Sequence, residues 1–128
     1  MSSIVLDASV LLAVLNGEPG GEKLTLQQLN QAIVSTVNLA EVHGKLVSRG
    51  IDPEAAWEAA RVPVWEAVEF SEEHAKIAGS LVRETRPLGL SLGDRACLAL
   101  AIARGAPVYT AEKLWKNLKL GVRIHVIR

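Results

Sequence analysis

Short apolar runs alternate with stretches of helical periodicity along the chain. The apolar runs predict β-strands at residues 4–6, 32–34, 68–70, 107–109 and 123–127. The stretches between them predict helices at residues 8–15, 22–29, 36–49, 53–61, 72–86, 91–104 and 111–117. Strands separated by helices are typical of parallel βαβ units. The predicted fold class is therefore α/β, a three-layer sandwich with a central, mainly parallel sheet of about five strands.

Capping residues support several of the predicted helix boundaries. Ser35 or Thr36 can cap the third helix, and Asp52 followed by proline opens the fourth in the favoured order. Ser71 precedes the fifth helix, and Thr110 is predicted to cap the short last one. These polar residues interrupt the apolar pattern, and they therefore support the predicted starts of the helices.

The composition fits one compact domain covering residues 1–128. Hydrophobic residues make up 49% of the chain and charged residues 22%, which is typical of a globular core and unlike a disordered chain. The single cysteine, Cys97, cannot close an intramolecular disulfide, and we interpret it as a small apolar residue of a helix. We therefore expect a cytoplasmic protein with neither a signal peptide nor a membrane span.

The net charge of zero conceals two oppositely charged halves. Residues 1–75 carry 4 Lys or Arg and 11 Asp or Glu, whereas residues 76–128 carry 10 and 3, so the halves have charges of −7 and +7. A basic surface on a neutral protein can bind phosphate backbones, although a solvated face is the more common meaning of such a bias. Arg95, Lys113 and Lys116 are the cations that we expect to guide a nucleic acid, from their position beside acidic residues.

Four acidic residues map to one edge of the predicted sheet. In βαβ units the carboxyl ends of strands and the amino ends of the following helices share an edge, where such folds place their sites. Asp7 follows the first strand, Glu41 lies early in the third helix, and Asp94 lies in the first turn of the helix 91–104. Glu112 follows the fourth strand. These carboxylates are far apart in sequence, yet the topology can bring them together.

Three of these acids also have structural explanations. Asp94 and Ser91 have the spacing of a capping box, and an acid in a first helical turn is stabilised by the helix dipole. Glu112 has the same explanation two residues after Thr110, and Glu41 could pair with Lys45 one helical turn later. Asp7 directly follows an apolar strand, where a carboxylate is costly to bury unless a cation or several hydrogen-bond donors receive it.

A cluster of carboxylates without cysteine or suitably spaced histidine favours a hard cation such as Mg²⁺, with Mn²⁺ as a possible substitute. The chemistry that this donor set indicates is metal-assisted attack of water on a phosphodiester. The sequence therefore predicts a nuclease active site at this sheet edge.

Four segments together resemble the successive motifs of PIN-domain ribonucleases, and more narrowly those of the VapC toxins of toxin–antitoxin pairs. They are IVLDAS from residue 4, VSTVNLAEV from residue 34, LSLGDRA from residue 90 and PVYTAEKLW from residue 107. Their order and spacing cover nearly the whole chain. In one respect the chain departs from the family pattern, because Glu112 stands where the family commonly has aspartate and must place its oxygens differently.

The resemblance implies a magnesium-dependent endoribonuclease. Its metal ligands would be Asp7, Glu41 and Asp94, with Glu112 nearby and with the hydroxyls of Ser9 and Thr110 supporting the site. The family further implies a homodimer that a cognate antitoxin protein holds inactive by inserting a segment into the acidic groove.

Two other functions fit the same pattern. A receiver-like phosphoacceptor module also alternates strands and helices around acidic residues, although it places adjacent acids at the end of strand one, where this chain has Leu6 before Asp7. A catalytically silent PIN-like binding module would keep the fold without the chemistry. A phosphatase of the haloacid-dehalogenase type is disfavoured, because Ser9 occupies the position of its second aspartate.

Overall fold

The computed structural model describes residues 2–128 and shows a parallel β-sheet between two layers of helices. The strands are β1 (Ile4–Leu6), β2 (Ala32–Ser35), β3 (Glu66–Val68), β4 (Val108–Thr110) and β5 (Ile124–Val126). The helices are α1 (Ala8–Asn16), α2 (Leu26–Leu29), α3 (Thr36–Ser48), α4 (Pro53–Arg61), α5 (Glu72–Ser80), α6 (Val82–Thr85) and α7 (Leu92–Arg104). The predicted α/β class with five strands is confirmed, and the sheet is parallel at each strand pair.

Alternating side chains of the strands build the core on both faces of the sheet. Val5, Ile33 and Val108 face α7 and pack with Leu98 and Leu100 of that helix. The intervening strand residues pack against α1, α3 and α4 on the other face. Cys97 is fully buried in α7 and is a free thiol, as expected for an apolar helix position. This two-sided burial explains why the central strands β1 and β2 are largely apolar.

The strand order β3-β2-β1-β4-β5 fixes where a site can form. The chain builds the sheet outward from β1 in one direction with β2 and β3, and then in the other direction with β4 and β5. The point of reversal lies between β1 and β4, and open parallel sheets place ligands at the carboxyl ends of the strands beside such a point. Asp7 directly follows β1, and Thr110 ends β4.

Two predicted helices are interrupted. The helix predicted at residues 22–29 is a 3₁₀ turn (Gly21–Lys23) followed by α2, because Thr25 starts a new helix through a capping box with Gln28. The predicted helix 72–86 breaks at Leu81, which ends α5 before the short α6 and a 3₁₀ turn (Arg86–Leu88). The sequence pattern misses both breaks because the chain stays helical on either side of each, as a short α-helix or a 3₁₀ turn.

The remaining differences concern β3 and the segment after β4. The strand predicted at residues 68–70 lies two residues earlier, where Ile33 of β2 is paired with Glu66. In this edge strand Glu66 is exposed and the other two residues are only partly buried, so its apolar signal is weak. Thr110 belongs to β4 and does not cap a helix; the following 3₁₀ segment (Lys113–Asn117) has no side-chain cap.

None of the helices in residues 2–128 has the length and apolar character that a membrane span needs.

Candidate functional site

Asp7 is a buried carboxylate at the point where the strand order reverses. Its side chain is only 2% exposed and caps the amino end of α1. Oδ1 accepts hydrogen bonds from the Ser9 hydroxyl at 2.7 Å and from the backbone N–H of Val10 at 3.0 Å, and Oδ2 accepts one from the Thr110 hydroxyl at 2.7 Å. Three hydrogen-bond donors therefore contact this carboxylate. Several donors were one of the two ways, the other being a cation, in which we expected the cost of burying Asp7 to be lowered.

Burial raises the pKa of Asp7 from its usual 3.8 to about 6, although its three hydrogen bonds act in the opposite direction. The nearby charge of Asp94 adds to the increase. Desolvation is the largest cause, so the ionised carboxylate is costly in the free protein. A positive charge at this point would lower that cost.

Ser9 and Thr110 connect Asp7 to the chain after β4. The Ser9 hydroxyl accepts a hydrogen bond from the backbone N–H of Ala111 at 2.9 Å, and the Thr110 hydroxyl accepts one from the N–H of Glu112 at 3.0 Å. Each hydroxyl therefore donates to Asp7 and accepts from the segment that carries Glu112. This network ties the amino end of α1 to the carboxyl end of β4.

Glu41 lies on α3 and reaches the amino end of α7. Its Oε1 accepts a hydrogen bond from Nδ2 of Asn38 at 2.9 Å, and the same Nδ2 donates to the backbone oxygen of Gly93 at 2.9 Å. Ion pairs in residues 2–128 join Arg104 to Glu66 and Arg128 to Glu18, each at 3.5 Å. The pair of Glu41 with Lys45 that the sequence allowed is therefore not formed.

Asp94 forms the capping box that its spacing predicted. Its Oδ2 accepts a hydrogen bond from the N–H of Ser91 at 2.9 Å, and the Ser91 hydroxyl accepts one from the N–H of Asp94 at 3.2 Å. The charge of Asp94 also acts on Asp7. The structural role is thus present, and it leaves the other carboxylate oxygen of Asp94 available to the cleft.

The four acids line one open cleft of about 490 Å³. Its lining residues are Asp7, Ala8, Ser9, Leu12, Glu41, Gly44, Lys45, Ser48, Asp94 and Glu112. Burial raises the pKa of the Cys97 thiol, and the negative charges of Asp7, Asp94 and Glu41 raise it further. The convergence that the topology suggested is therefore present in the fold.

The carboxylates fit a hydrated divalent cation better than a tight protein cage. Within residues 2–128, no three Asp, Glu, His or Cys side chains are arranged so that they alone could hold a metal ion. The donors are nevertheless hard oxygens, and each of Glu41 and Asp94 keeps one oxygen without a hydrogen bond from the described residues. Mg²⁺ characteristically keeps several waters and takes one or two carboxylates, so this donor set suits it.

The basic residues predicted to guide a nucleic acid lie outside the acidic cleft, whereas Lys45, which the sequence indicated only as an ion-pair partner of Glu41, lies within it. Lys45 lines the acidic cleft itself. Arg95 lines a neighbouring cleft with Arg86, and its guanidinium donates to the backbone oxygen of Ala78 at 3.0 Å. Lys113 and Lys116 are exposed on the 3₁₀ segment after β4. The helical spacing of Lys45 from Glu41 was the signal that could have placed it at the site.

Sequence reasoning also missed Asn38 and the capping role of Asp7. Asn38 lies one helical turn before Glu41, a spacing at which side chains meet. Asp7 directly precedes a helix, the position at which aspartate is a favoured cap. Both signals were present in the sequence, but neither indicated which atoms the side chain would contact.

The fold is similar to that of solved toxin–antitoxin proteins. VapBC2 from Rickettsia felis, solved with a promoter DNA fragment, is 20% identical with a TM-score of 0.74 and 98% of each chain covered. DNA-bound VapBC from Salmonella typhimurium is 17% identical with a TM-score of 0.75 and full coverage of both chains. VapC20 from Mycobacterium tuberculosis, a sarcin–ricin loop cleaving toxin, is 19% identical with a TM-score of 0.70, covering 94% of this chain and 99% of that one.

Among curated proteins, none matches the chain significantly. The sequence profile of the PIN domain matches residues 4–119. Because this match spans most of the chain, the protein belongs to the PIN domain family.

Proposed function

We propose that the protein is a divalent-metal-dependent endoribonuclease, and that the acidic cleft is its active site. The observation that carries this proposal is the buried Asp7 carboxylate, which shares one cleft with Glu41, Asp94 and Glu112 at the reversal of strand order. The PIN domain match and the fold shared with a sarcin–ricin loop cleaving toxin support the choice of RNA as substrate.

Asp7, Glu41 and Asp94 would hold the cation, directly or through its bound water molecules, and we propose that the cation is Mg²⁺ or Mn²⁺. When bound, it would supply a nucleophile from water at neutral pH and offset the charge that develops on the phosphate. Ser9 and Thr110 act on Asp7, because their hydroxyl groups donate to its two oxygens and fix its orientation. Glu112 is an exposed lining residue of the cleft, where it would contact either the cation or a water bound to it.

The basic residues suggest a path for the RNA backbone. A second cleft shares Asp94 and Glu112 with the acidic cleft and also contains Gly89 and Leu90. A third cleft shares that glycine and leucine and adds Arg86 and Arg95. We therefore propose that the backbone runs from the acids toward these arginines, while Lys45 contacts a phosphate inside the acidic cleft.

We also propose that the protein is the toxin of a toxin–antitoxin pair, acting in the cytoplasm as a homodimer. The support is the fold that it shares with toxin–antitoxin proteins from several bacteria, two of them VapBC structures. Light scattering of the purified protein would test the dimer, and co-purification with the product of an adjacent gene would test the antitoxin.

The structure provides two arguments against a receiver-like phosphoacceptor. Receiver modules have the strand order 2-1-3-4-5, whereas this sheet has the order 3-2-1-4-5. Asp7 is also buried with hydrogen bonds to both oxygens, which leaves little room for a phosphoryl group. A catalytically silent PIN module remains as the outcome that an activity assay would reveal.

The test is digestion of total cellular RNA by the purified protein, followed by mapping of the cut ends. Attack by water leaves no 2′,3′-cyclic phosphate, and we expect defined cuts without that end. An Asp7→Asn variant purified in the same way controls for contaminating ribonucleases and should leave the RNA intact. Cyclic phosphate ends, or no cleavage by the wild type, would overturn the proposal.

A further inference from the structure

We propose that Asn38 and Gly93 are positioning residues that together set the place of the Glu41 carboxylate beside Asp94. The inference rests on the proposed function, because it concerns how one of the proposed metal ligands is held. It assigns a role to two residues that carry no charge and do not line the acidic cleft.

Asn38 provides the polar half of this arrangement. Its side chain is 1% exposed, and its Nδ2 donates to Oε1 of Glu41 and to the backbone oxygen of Gly93, both at 2.9 Å. One amide group thus joins a carboxylate of α3 to the first turn of α7. Asp94 is the next residue of that turn, so the amide couples the positions of two proposed ligands.

The oxygen of the Asn38 amide, unlike its nitrogen, makes no favourable polar contact within residues 2–128. Its Oδ1 is buried and has no hydrogen-bond partner among the described residues. Burying an unpaired polar atom destabilises a fold. The pair of donated hydrogen bonds is therefore what offsets the burial of this side chain.

Gly93 provides the steric half. A Cβ atom at this position would lie 2.6 Å from both Cδ and Oε1 of Glu41 and would also overlap Oε2. The backbone of Gly93 is helical and has no positive φ, so conformational freedom does not explain the glycine. The missing side chain is what allows the Glu41 carboxylate to lie against α7.

The obstruction that alanine would create involves only the end of a flexible side chain. Gly93→Ala should therefore displace the Glu41 carboxylate without disrupting the fold, and alanine is also the better helix former. Gly79 offers a matched control, because it is a helical glycine of α5 where an added methyl group would meet no described atom within 4 Å. Gly79→Ala should gain the same helix propensity and leave Glu41 in place.

The first readout needs neither metal nor RNA. In ¹H–¹⁵N spectra of the metal-free protein, Gly93→Ala and Glu41→Gln should both shift the side-chain amide resonances of Asn38, whereas Gly79→Ala should leave them unchanged. Unchanged Asn38 resonances in Gly93→Ala would overturn the inference. This result would stand even if the wild type cut no RNA, so the two proposals can fail separately.

The second readout is Mn²⁺ affinity measured by calorimetry, together with the thermal midpoint of the metal-free protein. Gly93→Ala should bind Mn²⁺ at least tenfold more weakly and cut RNA more slowly, while melting at or above the wild-type temperature. Gly79→Ala should keep wild-type affinity and cleavage. A Gly93→Ala variant with wild-type affinity and cleavage would show that Gly93 does not position Glu41.

Discussion

At the scale of single residues, Asp7 has two opposing properties. Three hydrogen bonds hold its carboxylate in place, yet burial raises its pKa to about 6, so the ionised form is poorly stabilised. A rigid carboxylate that lacks a compensating positive charge is suited to a cation that arrives later. This explains how one residue can cap α1 and also serve as a proposed ligand.

The raised pKa of Asp7 predicts a stability profile with pH. Because its folded pKa exceeds the unfolded value, its contribution to stability is fully present below about pH 4 and is lost as pH rises through about 6. The loss amounts to about 3 kcal/mol at roughly 1.4 kcal/mol per pKa unit. Asp7→Asn should lack it, so the metal-free variant should equal or exceed the wild type in stability at neutral pH.

Urea denaturation in EDTA at several pH values would measure this difference. Subtracting the Asp7→Asn curve removes the contribution of the other carboxyl groups. Parallel profiles for the two proteins would show that burial does not raise the pKa of Asp7.

Ser91 and Asp94 separate capping from catalysis. Ser91→Ala removes the cap of α7 and should lower the free energy of unfolding by about 1 kcal/mol while leaving cleavage intact. Asp94→Asn should abolish cleavage at a stability cost of no more than about 0.3–1 kcal/mol. Denaturation curves and RNA cleavage rates of both variants would check this, and an active Asp94→Asn would mean that the residue is only a cap.

Sequence reasoning at this scale identified candidates by chemical type and could not assign their contacts. Asp7 stood out because a carboxylate after an apolar strand is costly to bury. Lys45 was assigned to a pair with Glu41, and Asn38 drew no attention, because rotamers and hydrogen-bond partners depend on helices distant in sequence. The contact of Asn38 with Gly93 joins α3 to α7, and nothing local to either helix indicates it.

At the scale of elements, the site is assembled from helix ends and strand ends. Asp7 lies between β1 and α1, and Asp94 lies in the first turn of α7. Apolar periodicity indicated these elements well, since their burial is two-sided or strongly patterned. It failed for the break at Leu81 and for the edge strand β3, where local geometry and pairing with β2 decide the outcome.

The neighbouring clefts predict which cations bind RNA. In the inactive Asp7→Asn background, Arg86→Gln and Lys45→Gln should weaken RNA binding and reduce the dependence of affinity on salt by about one counterion each. Lys23→Gln is a control of equal charge change, since Lys23 lies in the 3₁₀ turn before α2, outside these clefts. Filter binding over a range of salt concentrations would measure how steeply RNA affinity falls with salt. The same salt dependence for all three variants would contradict the proposed path of the RNA backbone.

At the scale of the whole molecule, the fold brings together residues from the acidic and the basic halves of the sequence. The acidic half supplies Asp7 and Glu41, whereas Asp94 and Glu112 come from the half with a charge of +7. A middle cleft connects the acidic cleft, with which it shares Asp94 and Glu112, to the arginine-lined cleft, with which it shares Gly89 and Leu90. Linear charge counts left open whether the basic half binds a polyanion or is a solvated face, and they could not predict this adjacency.

A cation that binds only the folded protein must stabilise the whole molecule. Mg²⁺ at a hundredfold excess over its dissociation constant should raise the free energy of unfolding by about 2.7 kcal/mol. The same addition should have a much smaller effect on Glu41→Gln, which keeps the fold but loses a proposed ligand charge. Thermal melts with and without Mg²⁺ would measure the shift, and a wild-type melt indifferent to Mg²⁺ would argue against a cation site.

The central claim is that the acidic cleft uses a divalent cation to cut RNA, and the rate of RNA cleavage as a function of Mg²⁺ concentration tests it most directly. We expect no cleavage in excess EDTA, recovery that saturates as Mg²⁺ is restored, and no recovery for Asp7→Asn at any concentration. Full activity of the wild type in excess EDTA, or activity of Asp7→Asn equal to that of the wild type, would contradict the claim.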